Sequence, residues 1–429
     1  MTEEITRVQL ANGLKVMLKE IHTAPIISQW IWYQVGSRDE PSGRTGISHW
    51  VEHMQFKGTR QFTSGELDRA ISREGGHWNA MTYIDWTTYY ETMPAPKIDL
   101  ALRLEADRMT NSLFESRDVE SERKVIISER QGNENEPIFL LSEKMQAAAF
   151  RIHNYRNDTI GSYADLQSMQ REQLYEYYRS YYVPNNAVVA LAGDFDTGRM
   201  LERIQNLYEP IPNSPKPPRN HLVEPPLESE QQVTVEGPGE TTYVQFSFRV
   251  PAASHSDFLP LMVLDSLLCG PSSLNMFGGG ISNKTSRLYK TLVEGELAIG
   301  VYGGVQATID PFLYTILLTL HPQPKRAEAV QAVEDEIQRI QETPPTTAEL
   351  ARAVKQARAL FAYGSESISN QAFWLGYAEM FADYNWFLTY LDQLEAVTPR
   401  SVQRVAQQYL HPQNRVLGTY LPTGDGNES

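Results

Sequence analysis

The stretch PIPNSPKPPRNHLVEPP, residues 210–226, carries seven prolines and falls almost at the midpoint of a 429-residue chain. Proline has a fixed φ and no amide hydrogen, so this density ends any helix and does not suit a central strand. It reads as an extended connector. A chain of this length also exceeds what one core comfortably fills. The expectation is a first domain over residues 1–209, a linker over 210–229, a second domain over 230–422 and a disordered tail over 423–429.

The two sides of the linker resemble each other. YYVPNNAVVALAGD (181–194) closes a helical stretch and opens an apolar, β-branched run, and YLHPQNRVLGTYLP (409–422) does the same. Pro184 matches Pro412, Asn186 matches Asn414 and Val188 matches Val416. Both predict helix, proline-containing turn and strand, at equivalent places in a duplicated unit. Strand-like runs at 14–21, 26–35 and 77–93 in the first half, and at 241–250, 297–307 and 312–320 in the second, are interspersed with amphipathic helical stretches. The fold class predicted is α+β, as two structurally similar domains.

Composition narrows the function classes. The hydrophobic share of 41% and charged share of 21% fit an ordinary folded chain. A net charge of −15 argues against nucleic acid as a partner, because phosphate binding wants clustered Lys and Arg. No run approaches a membrane-spanning length, and the N-terminus shows no signal-peptide pattern, so no membrane partner is expected. The single cysteine, Cys269, allows no intrachain disulfide and suggests a reducing compartment, the cytoplasm.

Against nine histidines in the whole chain, HWVEH at residues 49–53 places two of them four apart. On a helix, that spacing puts His49 and His53 on one face, aimed at a common point. Two neutral imidazoles are half of a tetrahedral zinc site. Glu52 lies on the adjoining strip, placed to act on a water as a base without being a ligand. A catalytic zinc takes three protein ligands and leaves a fourth position for water. Candidates for the third lie in the helical stretch 116–137, where Glu122 and Glu129 are two turns apart on one face, with Glu120 nearby. Spacing alone does not choose among them.

The pattern H-x-x-E-H is the inverted zinc motif. With GISHWVEHMQFKGT, GGHWNAMTYIDWTTYYETM and ERKVIISERQGNENEP, the chain resembles the pitrilysin–insulinase family of zinc metallopeptidases over nearly its whole length. It is most similar to the zinc-bearing, beta-type subunit of the processing peptidases. The resemblance implies one zinc ion per chain. It also implies a third ligand 76 residues after the second histidine, which is Glu129, and an accessory active-site carboxylate seven residues earlier, Glu122. Gln55 stands where the family usually has leucine. The implied activity is endopeptidase cleavage of peptides or unfolded segments inside an enclosed chamber. In it Glu52 takes the proton of an attacking water and passes it to the departing amine. The strand carrying Asn79 and Ala80 would accept the peptide on its edge by main-chain pairing.

The resemblance also bears on partners. Self-sufficient members carry an arginine and a tyrosine in the second half, where this chain has Val293 and Ile299, with Arg287, Tyr289 and Tyr302 nearby as alternative donors. That implies a hetero-oligomer, with a paralogous subunit that lacks the zinc motif but supplies the missing pair. The competing expectation is a non-catalytic core subunit of a larger complex, a role some relatives have taken on with loss of zinc ligands.

Overall fold

The apolar runs of the first half build a six-stranded sheet from β1 (Ile5–Gln9), β2 (Lys15–Glu20), β3 (Ile26–Tyr33), β4 (His77–Thr82), β5 (Thr87–Pro94) and β6 (Ala187–Gly193). Its order is β1-β2-β6-β3-β5-β4, with β2 and β6 parallel and the other pairs antiparallel. The second half builds β7 (Gln231–Gly237), β8 (Tyr243–Val250), β9 (Ala298–Val305), β10 (Phe312–Leu320) and β11 (Arg415–Pro422), in the order β7-β11-β8-β10-β9. Setting β1 aside, the two orders are the same, and β7 and β11 are again the parallel pair. The protein is thus a duplicated α+β unit, as expected. The computed structural model describes residues 5–219, 221–275, 281–321 and 325–424. Most of the tail expected to be disordered (425–429), and 276–280 of a glycine-rich stretch, lie outside the described residues.

The matching Asn residues explain why the repeat was visible in sequence. Asn186 donates its side-chain amide to the carbonyls of Tyr181, at 2.9 Å, and Gln34, beyond β3, at 3.3 Å. Asn414 does likewise to Tyr409, at 2.9 Å, and Arg249, in β8, at 2.8 Å. Each amide ties the end of a helix to the equivalent strand, through a short turn that proline starts.

The helices depart from a contiguous division. They begin with α1 (Ile47–Met54), α2 (Glu66–Arg73), α3 (Ile98–Asn111), α4 (Ser116–Asn133) and α5 (Pro137–Ala149). One compact unit comprises residues 1–130, 157–221 and 365–384, and the other 131–156, 222–364 and 385–429. The expected halves 1–209 and 230–422 therefore exchange a segment each. The helix α5 packs on β7, β8 and β11, with Leu141 and Met145 against Gly418. The helix Ile368–Phe381, from late in the chain, packs on β3 and β6 of the first sheet. Ten of its fourteen residues are buried. Phe373 meets Trp30 and Trp32 at ring distances of 5.4 and 5.3 Å, in a cluster that includes Trp86 and Tyr377. The chain crosses between units five times, after residues 130, 156, 221, 364 and 384, rather than only at the proline-rich linker.

Gly376 shows how closely that helix fits. A Cβ there would lie 2.2 Å from Cδ1 of the fully buried Trp32. Gly376→Ala is expected to force the indole aside and lower stability by about 1–3 kcal/mol, read as a drop in melting temperature. Among the described residues, no helix is long and apolar enough to cross a membrane.

Candidate metal centre

The first helix starts where backbone geometry requires it to. Gly46 precedes α1 at φ 86°, and a Cβ there would lie 2.4 Å from the carbonyl oxygen of Ile160. Only glycine suits such a position. Ser48, the second residue of the helix, makes no cap of its own. The buried carboxylate of Glu40 caps α1 instead, accepting the Gly46 and Ser48 amides at 3.0 Å each. Burial pushes the Glu40 carboxyl up to about 7, against those two bonds. No local pattern in the sequence marks Glu40, because its partners lie six and eight residues away across an irregular turn.

One turn apart on α1, His49 and His53 bring their Nε2 atoms to 3.1 Å. Glu129, on α4, places its Oε2 3.9 Å from the first and 3.7 Å from the second. Ligand atoms of the three lie within 4.8 Å of one another. Zinc–nitrogen and zinc–oxygen bonds of about 2.0–2.1 Å in a tetrahedron put neighbouring donors about 3.3 Å apart. The donor set, two imidazoles and a carboxylate, and this spacing both fit a zinc ion.

The surroundings act on the two imidazoles in opposite senses. Burial, then the neighbouring His53, drive His49 down to about 3, so its imidazole is neutral. Burial also opposes a charge on His53, but its bond to Glu122 prevails and raises it. Here the two carboxylates that spacing left level are separated. Glu122 does not face the Nε2 pair. Its Oε1 accepts the His53 Nδ1–H at 2.8 Å, and its other oxygen pairs with Lys57. That bond fixes the tautomer that turns the Nε2 lone pair toward Glu129. Burial alone would raise Glu122, yet the His53 and Lys57 bonds hold it below the usual carboxylate range.

Glu52 is 9% exposed and accepts the Thr82 hydroxyl at 2.7 Å. Burial raises its carboxyl, and the Thr82 bond opposes this. Thr82 ends β4, which is the edge of its sheet and, among the described residues, pairs only with β5. Sequence reasoning singled out this strand but not Thr82, nor Lys57. Asn79 and Ala80 lie on β4, with Asn79 exposed. The Ala80 amide donates to the side-chain oxygen of Asn79 at 2.8 Å, and that side chain also reaches the cross-strand Tyr90 hydroxyl. Gln55 is fully buried and accepts the Ser112 hydroxyl at 2.6 Å, so its polarity is used where leucine is usual.

In the second unit, Val293 ends a short helical turn and Ile299 is 52% exposed on β9, in which Tyr302 is also exposed. Arg287 is paired with Glu349 at 2.9 Å. Cys269 is buried beside Tyr314, as a small core residue would be.

Comparisons with known proteins bear on the family to which the chain belongs. The family model described as "Insulinase (Peptidase family M16)" matches residues 15–162, and "Peptidase M16 inactive domain" matches residues 168–357. The chain is 29% identical over 384 residues to "Zinc protease PqqE" of Helicobacter pylori, covering 88% of this chain and 82% of that protein. It is 26% identical over 441 residues to "Probable mitochondrial-processing peptidase subunit beta, mitochondrial" of Arabidopsis thaliana, covering 97% and 78%. The crystal structure of a protease from Helicobacter pylori superposes with a TM-score of 0.91 at 26% identity, over 98% of this chain and 100% of that one. The two matched family models span the zinc-motif segment and most of the second half, and on that evidence the chain belongs to the insulinase (M16) family of peptidases.

Proposed function

We propose that this protein is a zinc endopeptidase that cleaves peptides or unfolded segments. The observation that carries the reading is the convergence of His49, His53 and Glu129 beside an open strand whose last residue, Thr82, holds Glu52. When bound, the zinc supplies Lewis-acid chemistry, acidifying water and polarising a carbonyl. Glu52 takes the proton from the attacking water and hands it to the leaving amine, and a carboxyl raised by burial suits a group that must do both near neutral pH. Glu122 orients His53 and acts from behind the ligands. The peptide adds to the free edge of β4, where the Ala80 amide exchanges its local bond to Asn79 for a substrate carbonyl.

Zinc titration tests the ligand assignment. Glu129→Gln is expected to weaken zinc by more than the roughly 10- to 100-fold that loss of an outer partner such as Glu122 costs. If Glu122→Gln abolishes zinc binding while Glu129→Gln leaves it intact, the assignment is wrong.

The proposal extends to a two-chain enzyme. Neither Val293 nor Ile299 can donate a hydrogen bond, and the Arg287 guanidinium is engaged by Glu349, which leaves the Tyr302 hydroxyl as the exposed donor on β9; on this reading a paralogous subunit supplies the arginine and tyrosine. Cleavage of a quenched fluorescent peptide by the zinc-loaded chain, with and without that subunit, tests this. Full activity of the lone chain, unchanged by the partner, removes it. The cytoplasm belongs to the same proposal and is checked by cell fractionation.

A further inference from the structure

We propose that Arg108 is a positioning residue for peptide binding, its guanidinium wedged between three rings so as to set the spacing of β4 from the exit of α1. The inference rests on the peptidase reading above.

Arg108 lies on α3 and is 1% exposed. Its guanidinium carbon sits 4.2 Å from the ring centre of Tyr89, 5.4 Å from that of Phe56 and 5.6 Å from that of Trp78. The three rings come from three different pieces of the site. Phe56 follows α1 by two residues, Trp78 is on β4 and Tyr89 on β5. Phe56 and Trp78 also touch, at 4.8 Å between centres. A ladder neighbour holds β4 on one side only, so its distance from α1 has to be fixed by packing beneath it. Packing against α1 and α2 does this, and Trp78 also donates its indole N–H to Asp68 of α2 at 3.0 Å. Thr82 bonds Glu52 at one end of the strand, and Trp78 rests on the Arg108 wedge toward the other.

The polar side of the wedge is costly to bury, which argues that the charge is used. One terminal nitrogen, Nη2, serves Glu105 and approaches Glu91 at 3.4 Å. Both carboxylates are fully buried, and Gln29 donates to Glu91 at 3.2 Å. Burial drives the Glu91 carboxyl above its usual range, with the Arg108 charge opposing. Nε and Nη1 find no hydrogen-bond partner among the described residues. A flat guanidinium can stack against several rings while pairing with a carboxylate at its tip, which an ammonium cannot.

Lysine at this position therefore separates charge from shape. Arg108→Lys keeps a cation for Glu105 but removes the flat wedge. Zinc content should stay at the wild-type level, because no ligand touches Arg108. The KM for a quenched peptide should rise by up to about thirtyfold, the equilibrium worth of one desolvated cation–π contact, with kcat within about threefold of wild type. Should that variant fail to fold, Trp78→Leu, at a half-buried site, tests the same wedge from the strand side, with the same KM rise expected. Where both singles fold, the double variant should be no worse than the worse single, since one contact is being removed twice. Unchanged KM in Arg108→Lys or Trp78→Leu, or additive effects in the double variant, overturns the inference alone. Loss of zinc in Arg108→Lys overturns it too, since the residue would then be supporting the metal centre. A zinc-loaded wild type that cleaves no peptide with or without a partner removes the peptidase reading, and this inference with it.

Discussion

Glu52→Gln is expected to bind zinc as the parent protein does and to lose about 10²- to 10⁴-fold in kcat, the range that a positioned general base contributes. The two effects separate because of where Glu52 sits. It shares α1 with His49 and His53, yet its carboxylate bonds Thr82 rather than joining the cluster with Glu129. Glutamine has the same shape, and its amide oxygen can still accept the Thr82 hydroxyl. The helix and the strand end therefore stay tied together. What is lost is the capacity to hold a proton between the attack of water and the departure of the amine. Zinc measured by atomic absorption and turnover of a quenched peptide are the two readouts. Loss of both together would mean that Glu52 belongs to the metal shell. Retention of full activity would mean that another group is the base, and the proposed mechanism would be wrong.

A cut in the linker is expected not to separate the halves. Pro215 and Lys216 are exposed, so a protease site can be placed there. After cleavage the first fragment still contributes α5 to the second sheet, and the second still contributes the helix Ile368–Phe381 to the first. That helix buries Ile368, Phe373, Trp374, Tyr377, Met380 and Phe381. At about 2 kcal/mol for each large apolar side chain buried, these six amount to an upper estimate on the order of 10 kcal/mol. That is the range of nanomolar complexes, before α5 is added. The two fragments should co-elute from a sizing column without denaturant. Elution as two separate folded pieces would show that the exchanged helices do not hold the units together.

Much of this protein was legible in its sequence, for a reason that can be stated physically. The spacing of His49 and His53 is a local property of the α-helix, and the two side chains share a face wherever that helix packs. Strand runs such as IISQWIWY were legible because β-branched and aromatic residues fit a pleated surface. The repeat showed through Pro184 and Pro412 because each turn reuses the same Asn-to-carbonyl bonds. Other features depend on partners distant in the chain. Glu122 and Glu129 lie on one strip of α4, so period alone ranks them equally. What separates them is the approach of α1, which offers an Nδ1 to one and two Nε2 atoms to the other. Glu40 caps α1 across a turn that has no sequence period, and Thr82 reaches Glu52 across thirty residues. The helix Ile368–Phe381 is apolar around nearly its whole girth, which says that it is buried but not against what. Hydrophobic pattern encodes which face leaves water, whereas the choice of sheet comes from shape, here a glycine flat against Trp32. The sequence by itself determined the repeated α+β unit and the two histidines. Only the tertiary structure decided which helices the units exchange, and it alone gives a physical reason for the choice of Glu129 that the family resemblance implied, because both depend on complementarity between surfaces that no local period records.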